Sequence, residues 1–120
     1  MTSSILYFNT RDELLRVDLK RVIYFEADGN YTHIVLINKL NCPICMNLAR
    51  MEQTLASNLH ERASIFMRIG KRYIVNVKYV VHINTLKHKL VLSDGISFVY
   101  TLDISKEALK NMKNIFVNTQ

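Results

Sequence analysis

Apolar and polar positions alternate over short stretches for most of this chain, and the period lengthens to that of a helix only twice. Residues 3–8 form an apolar run suited to a strand, followed by the polar turn Asn9-Thr10-Arg11-Asp12. Leu14, Leu15 and Val17 suggest a second strand. Val22-Ile23-Tyr24-Phe25 is β-branched and aromatic, and Asp28-Gly29-Asn30 closes it with turn chemistry. Residues 31–37 then resume as a strand, which predicts a hairpin. Tyr31, His33, Val35 and Ile37 would share one face and Thr32, Ile34 and Leu36 the other. Both faces are rather apolar, so a central strand is expected. Over residues 47–60 the period changes: Leu48, Met51, Leu55 and Leu59 recur at helical spacing, and Asn47 can cap the start by accepting a backbone N–H. Strand patterns return at residues 65–69, 73–77, 80–83, 90–92 and 97–102, with Ser93-Asp94-Gly95 as a turn. A second amphipathic helix is expected over residues 105–116, with Ala108, Leu109, Met112, Ile115 and Phe116 as its apolar stripe and Asp103 or Ser105 as its cap. The expected fold is mainly β with two helices, and strands outnumber the helices a doubly wound sheet would need.

A length of 120 residues suits one domain spanning 1–120, and 49% apolar with 22% charged residues is an ordinary globular balance. No repeat and no linker rich in Gly, Ser or Pro divides it. No stretch approaches the roughly 18 uninterrupted apolar residues of a membrane span. The first residues lack the basic and long apolar regions of a secretory signal, so a cytoplasmic protein is expected. Charge sharpens the picture. Sixteen Lys and Arg against ten Asp and Glu give a net +6, and the pI is about 9.5. Arg62, Arg68, Lys71, Arg72, Lys78, Lys87 and Lys89 follow one another with no acid among them, while acids gather early at Asp12, Glu13, Asp18, Glu26 and Asp28. A lone charge run is most often a solvated face. Interleaved with strands, this one places cations on turns, which favours a polyanion such as nucleic acid.

Catalytic chemistry is poorly supported. Cys42-Pro43-Ile44-Cys45 precedes a helix, the placement of a thioredoxin-like redox pair, but no βαβ pattern surrounds it and no second proline exists. Zinc would need a second ligand pair. His33, His60, His82 and His88 show no metal-binding spacing, no Gly-rich phosphate loop occurs, and no triad can be assembled. Neither an enzyme nor a bound cofactor is expected. A thiol-redox or metal-responsive protein using the Cys pair remains one alternative, and a module that pairs with longer regulators another. An RNA-binding sheet would want alternating aromatics, which are absent. Lys106, Lys110 and Lys113 make a basic stripe on the last helix, where a phosphate could meet both Lys106 and the free backbone N–H groups.

Several segments together resemble the LytTR DNA-binding domain of bacterial transcription regulators. Val22-Ile23-Tyr24-Phe25-Glu26-Ala27 with Asn30-Tyr31 matches its I-x-Y-I-E-A-x-x-N-Y pattern, and Leu48, Met51, Glu52 and Leu55 match its L-x-x-L-E-x-x-L helix. Phe66, Arg68 and Ile69 followed by Tyr73-Ile74-Val75-Asn76 are similar to F-x-R-I-H-R-S-Y-I-V-N. Leu92-Ser93-Asp94-Gly95 and Ile104-Ser105-Lys106 resemble L-x-D-G and V-S-R. The order and spacing agree over nearly the whole chain. The resemblance implies an elongated domain of three small antiparallel sheets that binds double-stranded DNA, as pairs (a homodimer on direct repeats), through loops in the major groove. Three loops are implicated: Asn30, Tyr31 and Thr32; Arg68 with Lys71 and Arg72; and Ser105 with Lys106. The chain departs from the pattern at Gly70, where many members have His, and at Arg72, where they have Ser. Many members also carry a receiver domain, for which 120 residues leave no room, so a stand-alone domain is expected.

Overall fold

Val22, Ile23, Tyr24 and Phe25 are all buried, and they open the strand around which the molecule is arranged. The computed structural model describes residues 4–59 and 65–118. β1 (Ile5–Asn9) and β2 (Leu14–Asp18) form a two-stranded antiparallel hairpin. β3 (Val22–Asp28), β4 (Tyr31–Leu36) and β5 (Asn41–Ile44) follow, then α1 (Leu48–Leu59), β6 (Phe66–Ile69) and β7 (Tyr73–Asn76). These five strands make one antiparallel sheet in the order β5-β4-β3-β7-β6. β8 (Val80–Asn84), β9 (Lys89–Ser93) and β10 (Val99–Asp103) make a three-stranded sheet in the order β10-β9-β8, and α2 (Lys106–Asn118) ends the described chain. Three small antiparallel sheets and two helices are what the sequence led one to expect. Extents of 43 × 35 × 28 Å agree with an elongated domain.

The central sheet is covered on both faces, which explains why its strands read as apolar on both sides. One face packs Phe25, Ile34, Ile44 and Ile74 against Leu48, Met51 and Leu55 of α1 and against Leu6, Phe8 and Val17 of the β1–β2 hairpin. The other packs Tyr24, Val35, Tyr73 and Val75 against Leu90, Leu92 and Leu102 of the third sheet and Leu109 and Met112 of α2. A bulge between Val22 and Tyr24 lets the adjacent Ile23 and Tyr24 both serve the second core. β4 is paired on both sides, and its residues divide between the two faces as the alternation predicts.

Local chemistry sets the element ends. Asn47 Oδ1 accepts from Arg50 N at 2.8 Å and starts α1. The expected end of that helix at His60, and Arg62 beyond it, lie outside the described residues, as does Ser3. Ser105 Oγ accepts from Ala108 N at 3.3 Å and caps α2. The α2 stripe is buried at Leu109 and Met112, but Ile115 is half exposed and lines an open cleft with Met67 and Gly70. Asn76 is a fold residue: it is buried, donates to Val22 O at 2.9 Å, and accepts from Lys78 N at 3.0 Å. Asp94 Oδ1 accepts from the backbone of Ile96, Ser97 and Phe98, so the β9–β10 turn is organised around one carboxylate. The Ser97 hydroxyl first, and then those N–H groups, hold that carboxyl well below the usual carboxylate range. β5 forms one edge of the central sheet, with Pro43 opposite His33.

Candidate nucleic-acid interface

The β6–β7 hairpin closes on the pair Ile69 and Tyr73, leaving Gly70, Lys71 and Arg72 as its turn. Gly70 has φ +65°, a left-handed conformation that any side chain with a Cβ resists. The glycine that departs from the family pattern therefore serves the backbone. Lys71 and Arg72 are exposed, as expected of turn residues. Arg72 is nevertheless held at three points. Its carbonyl accepts from Ala27 N at 2.8 Å, its Nη2 donates to Glu26 Oε2 at 2.6 Å, and its guanidinium lies 5.5 Å from the Tyr73 ring centroid. Arg68, expected to face a ligand, is paired within the protein at the surface: Nη1 donates to Glu52 Oε1 at 3.2 Å and Nη2 to Lys71 O at 3.3 Å. It braces the turn against α1.

The β3–β4 turn stands at the same end of the sheet, because β7 runs antiparallel to β3 and pairs Tyr73 with Glu26. Asn30 is exposed at its tip, and Tyr31 is 49% exposed, too open to be a core tyrosine. Thr32 corrects the expectation for this loop. It is fully buried, and its hydroxyl donates to Met46 O at 2.6 Å, so its side chain faces the first core. Alternation along β4 accounts for this, since Thr32 shares the face of Ile34. On the other face, His33 Nε2 lies 2.8 Å from Asp28 Oδ2 and Nδ1 lies 2.8 Å from Asn41 Oδ1. These two oxygens raise its pKa above the ordinary histidine value.

The third loop joins the second. A cleft of about 390 Å³ is lined by Lys71, Arg72 and Tyr73 on one side and by Asp103, Ile104 and Ser105 on the other. Ser105 and Lys106 are exposed at the first turn of α2, with Lys110 and Lys113 exposed further along. Four carboxylates around this end are matched by basic groups, Glu26 by Arg72, Asp28 by His33, Glu52 by Arg68 and Asp103 by Lys89, while Glu107 is exposed in the first turn of α2. Burial pushes the Tyr24 phenol up to about 12 and raises that of Tyr73, so both rings stay neutral behind the cations. Two residues near this end were not among the expected site residues: Glu26, which entered only as a motif residue, and Arg50, which lines a cleft with Arg11 and Tyr31.

The two cysteines are free thiols in different surroundings. Cys42 lies within β5 and packs against the first core, whereas Cys45 is exposed beyond the strand. Asn47 and Met46 intervene before α1, so neither thiol caps the helix. Among the described residues no three His, Cys, Asp or Glu are grouped to hold a metal, and no helix is long and apolar enough to cross a membrane.

The family model of the LytTr DNA-binding domain matches residues 12–116. The chain belongs to the LytTR family. Among solved structures, the LytTr DNA-binding domain of a Bacillus cereus protein described as a methyl-accepting/DNA response regulator is similar, with a TM-score of 0.64 and 20% identity over 95% of this chain and 97% of that one. A likeness at that identity bears on the fold. A search of curated proteins finds no match. Membership in LytTR makes DNA binding in transcription regulation the role of this domain. Its LytTR motif residues are mostly structural, as Asn76 and Asp94 show, while two positions that depart from the motif, Gly70 and Arg72, form the exposed turn.

Proposed function

We propose that this LytTR domain binds duplex DNA sequence-specifically in the bacterial cytoplasm, with its β3–β4 turn, its β6–β7 turn and the start of α2 entering the major groove and meeting its walls. The observation that carries this reading is the convergence of three loops, at residues 30–31, 71–72 and 105–106, at one end of the central sheet. In it, Arg72 pairs with the N7 and O6 acceptors of guanine and Asn30 with adenine, the contacts their side-chain geometries fit. Tyr31 packs on the sugar–phosphate wall. Lys71, Lys106 and Ser105 anchor the phosphates, helped by the free N–H groups of the α2 terminus. Arg68 supports from behind, and Thr32 takes no direct part.

Selection of bound duplexes from a random pool, followed by footprinting, tests the reading, and the footprint length shows whether one domain or two occupy a site. Affinity should fall steeply with salt, each neutralised phosphate contributing about −0.9 to the slope of log K against log salt. On the selected duplex, Arg72→Ala should cost about 1–3 kcal/mol and relax preference at one base pair. Lys71→Ala should weaken all sequences alike and reduce the slope by about one. A flat salt dependence, or a preference for single strands, overturns the proposal. Unchanged affinity in both folded variants would mean that another surface does the reading.

A further inference from the structure

Arg72 and Lys71 are neighbours on one turn and both carbonyls accept hydrogen bonds, Lys71 from Arg68 and Arg72 from Ala27, but of the two side chains it is that of Arg72 that is paired. Its backbone is fixed to β3 through Ala27, its guanidinium is bonded to Glu26, and Tyr73 lies beneath it. Each tie is itself well supported. Glu26 sits within β3 with its side chain 26% exposed, less than half the 64% of its partner. Tyr73 is buried and packs edge-on against Tyr24 at 5.9 Å, and Tyr24 against Tyr100 at 5.6 Å. The platform under Arg72 is thus continuous with the second core. A guanidinium carries five N–H donors in a planar fork, so one bond to Glu26 leaves enough for a two-point contact elsewhere.

From this we infer that Glu26 is a specificity-determining positioning residue: its carboxylate holds the Arg72 guanidinium at a fixed angle over Tyr73, so that Arg72 reads a base edge instead of folding back onto the nearest phosphate. Two physical effects act together. Orienting the fork beforehand removes the entropy cost of freezing a long side chain on binding. The carboxylate also repels phosphate, which penalises complexes in which Arg72 serves as a nonspecific anchor. Lys71, without such a tie, suits the anchoring role.

The inference rests on Arg72 reading a base, and the experiment separates the two. Dissociation constants are measured for the full chain on the selected duplex and on its single-base-pair variants, for wild type, Glu26→Gln, Arg72→Ala and the double variant, with thermal melts beside them. Arg72→Ala should lower the matched-to-mismatched ratio at one base pair by roughly five- to 150-fold, the range of one bidentate contact. Glu26→Gln, which keeps the shape and removes the charge, should lower the ratio at that same base pair while weakening binding to mismatched duplexes little or not at all. In the Arg72→Ala background it should change the ratio no further. If Arg72→Ala shifts the ratio and Glu26→Gln does not, the positioning role is overturned while base reading stands. The same holds if Glu26→Gln acts equally in both backgrounds. If Arg72→Ala leaves every ratio unchanged, base reading by Arg72 falls and this inference falls with it. Should Glu26→Gln not fold, Glu26→Asp answers instead: it keeps the charge but draws the carboxylate back from Arg72, and must lower the ratio at that base pair with Arg72 present and leave it unchanged in the Arg72→Ala background.

Discussion

At the scale of single residues, His33 shows how a side chain can couple the β3–β4 turn to pH. Both of its ring nitrogens face oxygens, Asp28 Oδ2 and Asn41 Oδ1, an arrangement that satisfies two donors and hence the imidazolium. Glu26, opposite it on β3, adds negative charge nearby. With the folded pKa raised, the stabilisation is fully present below the ordinary value of about 6.5 and is lost as pH rises through the higher folded value. His33→Gln should therefore lower the melting temperature most at about pH 5.5, with the deficit shrinking towards about pH 9. Melts of both proteins across that range check this, and a deficit independent of pH would contradict it.

At the scale of elements, turns and caps were legible where the chemistry is local. Asn47 capping α1, Gly29 and Asn30 closing the β3–β4 hairpin, and the Leu48, Met51 and Leu55 stripe all depend on neighbours within a turn or two. The pairing of Glu26 with Arg72 spans 46 residues and depends on strand order, which no local pattern encodes. Thr32 was misplaced for a related reason: it was grouped with the turn, although strand alternation had already assigned it to the face of Ile34. Gly70 was read as a departure from a family motif, when its φ of +65° makes it the residue the turn needs. Space around it is open, so the cost of a side chain there is conformational alone. Gly70→Ala should destabilise by about 1 kcal/mol and Gly70→Asn by less, as read from urea melts. Equal stability of Gly70→Ala and wild type would show that the turn relaxes to another form.

At the scale of the whole molecule, the central sheet separates two cores, and this gives the domain two nearly independent sources of stability. Ile44 lies in the core under α1 and Ile23 in the core under α2, both fully buried. They sit on opposite faces, two strands apart at about 4.8 Å per strand. Ile44→Val and Ile23→Val should each cost about 0.5–1.5 kcal/mol. Their sum should match the double variant within about 0.5 kcal/mol in denaturant titrations. A larger coupling would mean that strain passes through the sheet, and then a change beneath α1 would also be felt at the Tyr24 and Tyr73 platform.

The edge strand β5 has a consequence for how such domains share crowded space. It is four residues long, and Pro43 at its centre has no amide hydrogen to offer on the outer side. A second molecule approaching along that edge meets a gap in the row of donors it would need to add a strand. Copies brought close together, whether by neighbouring DNA sites or by high concentration in a test tube, are thus discouraged from zipping their sheets into one another. Replacing Pro43 by a β-branched residue would restore the missing donor, and with it a route to aggregation that the native chain keeps closed.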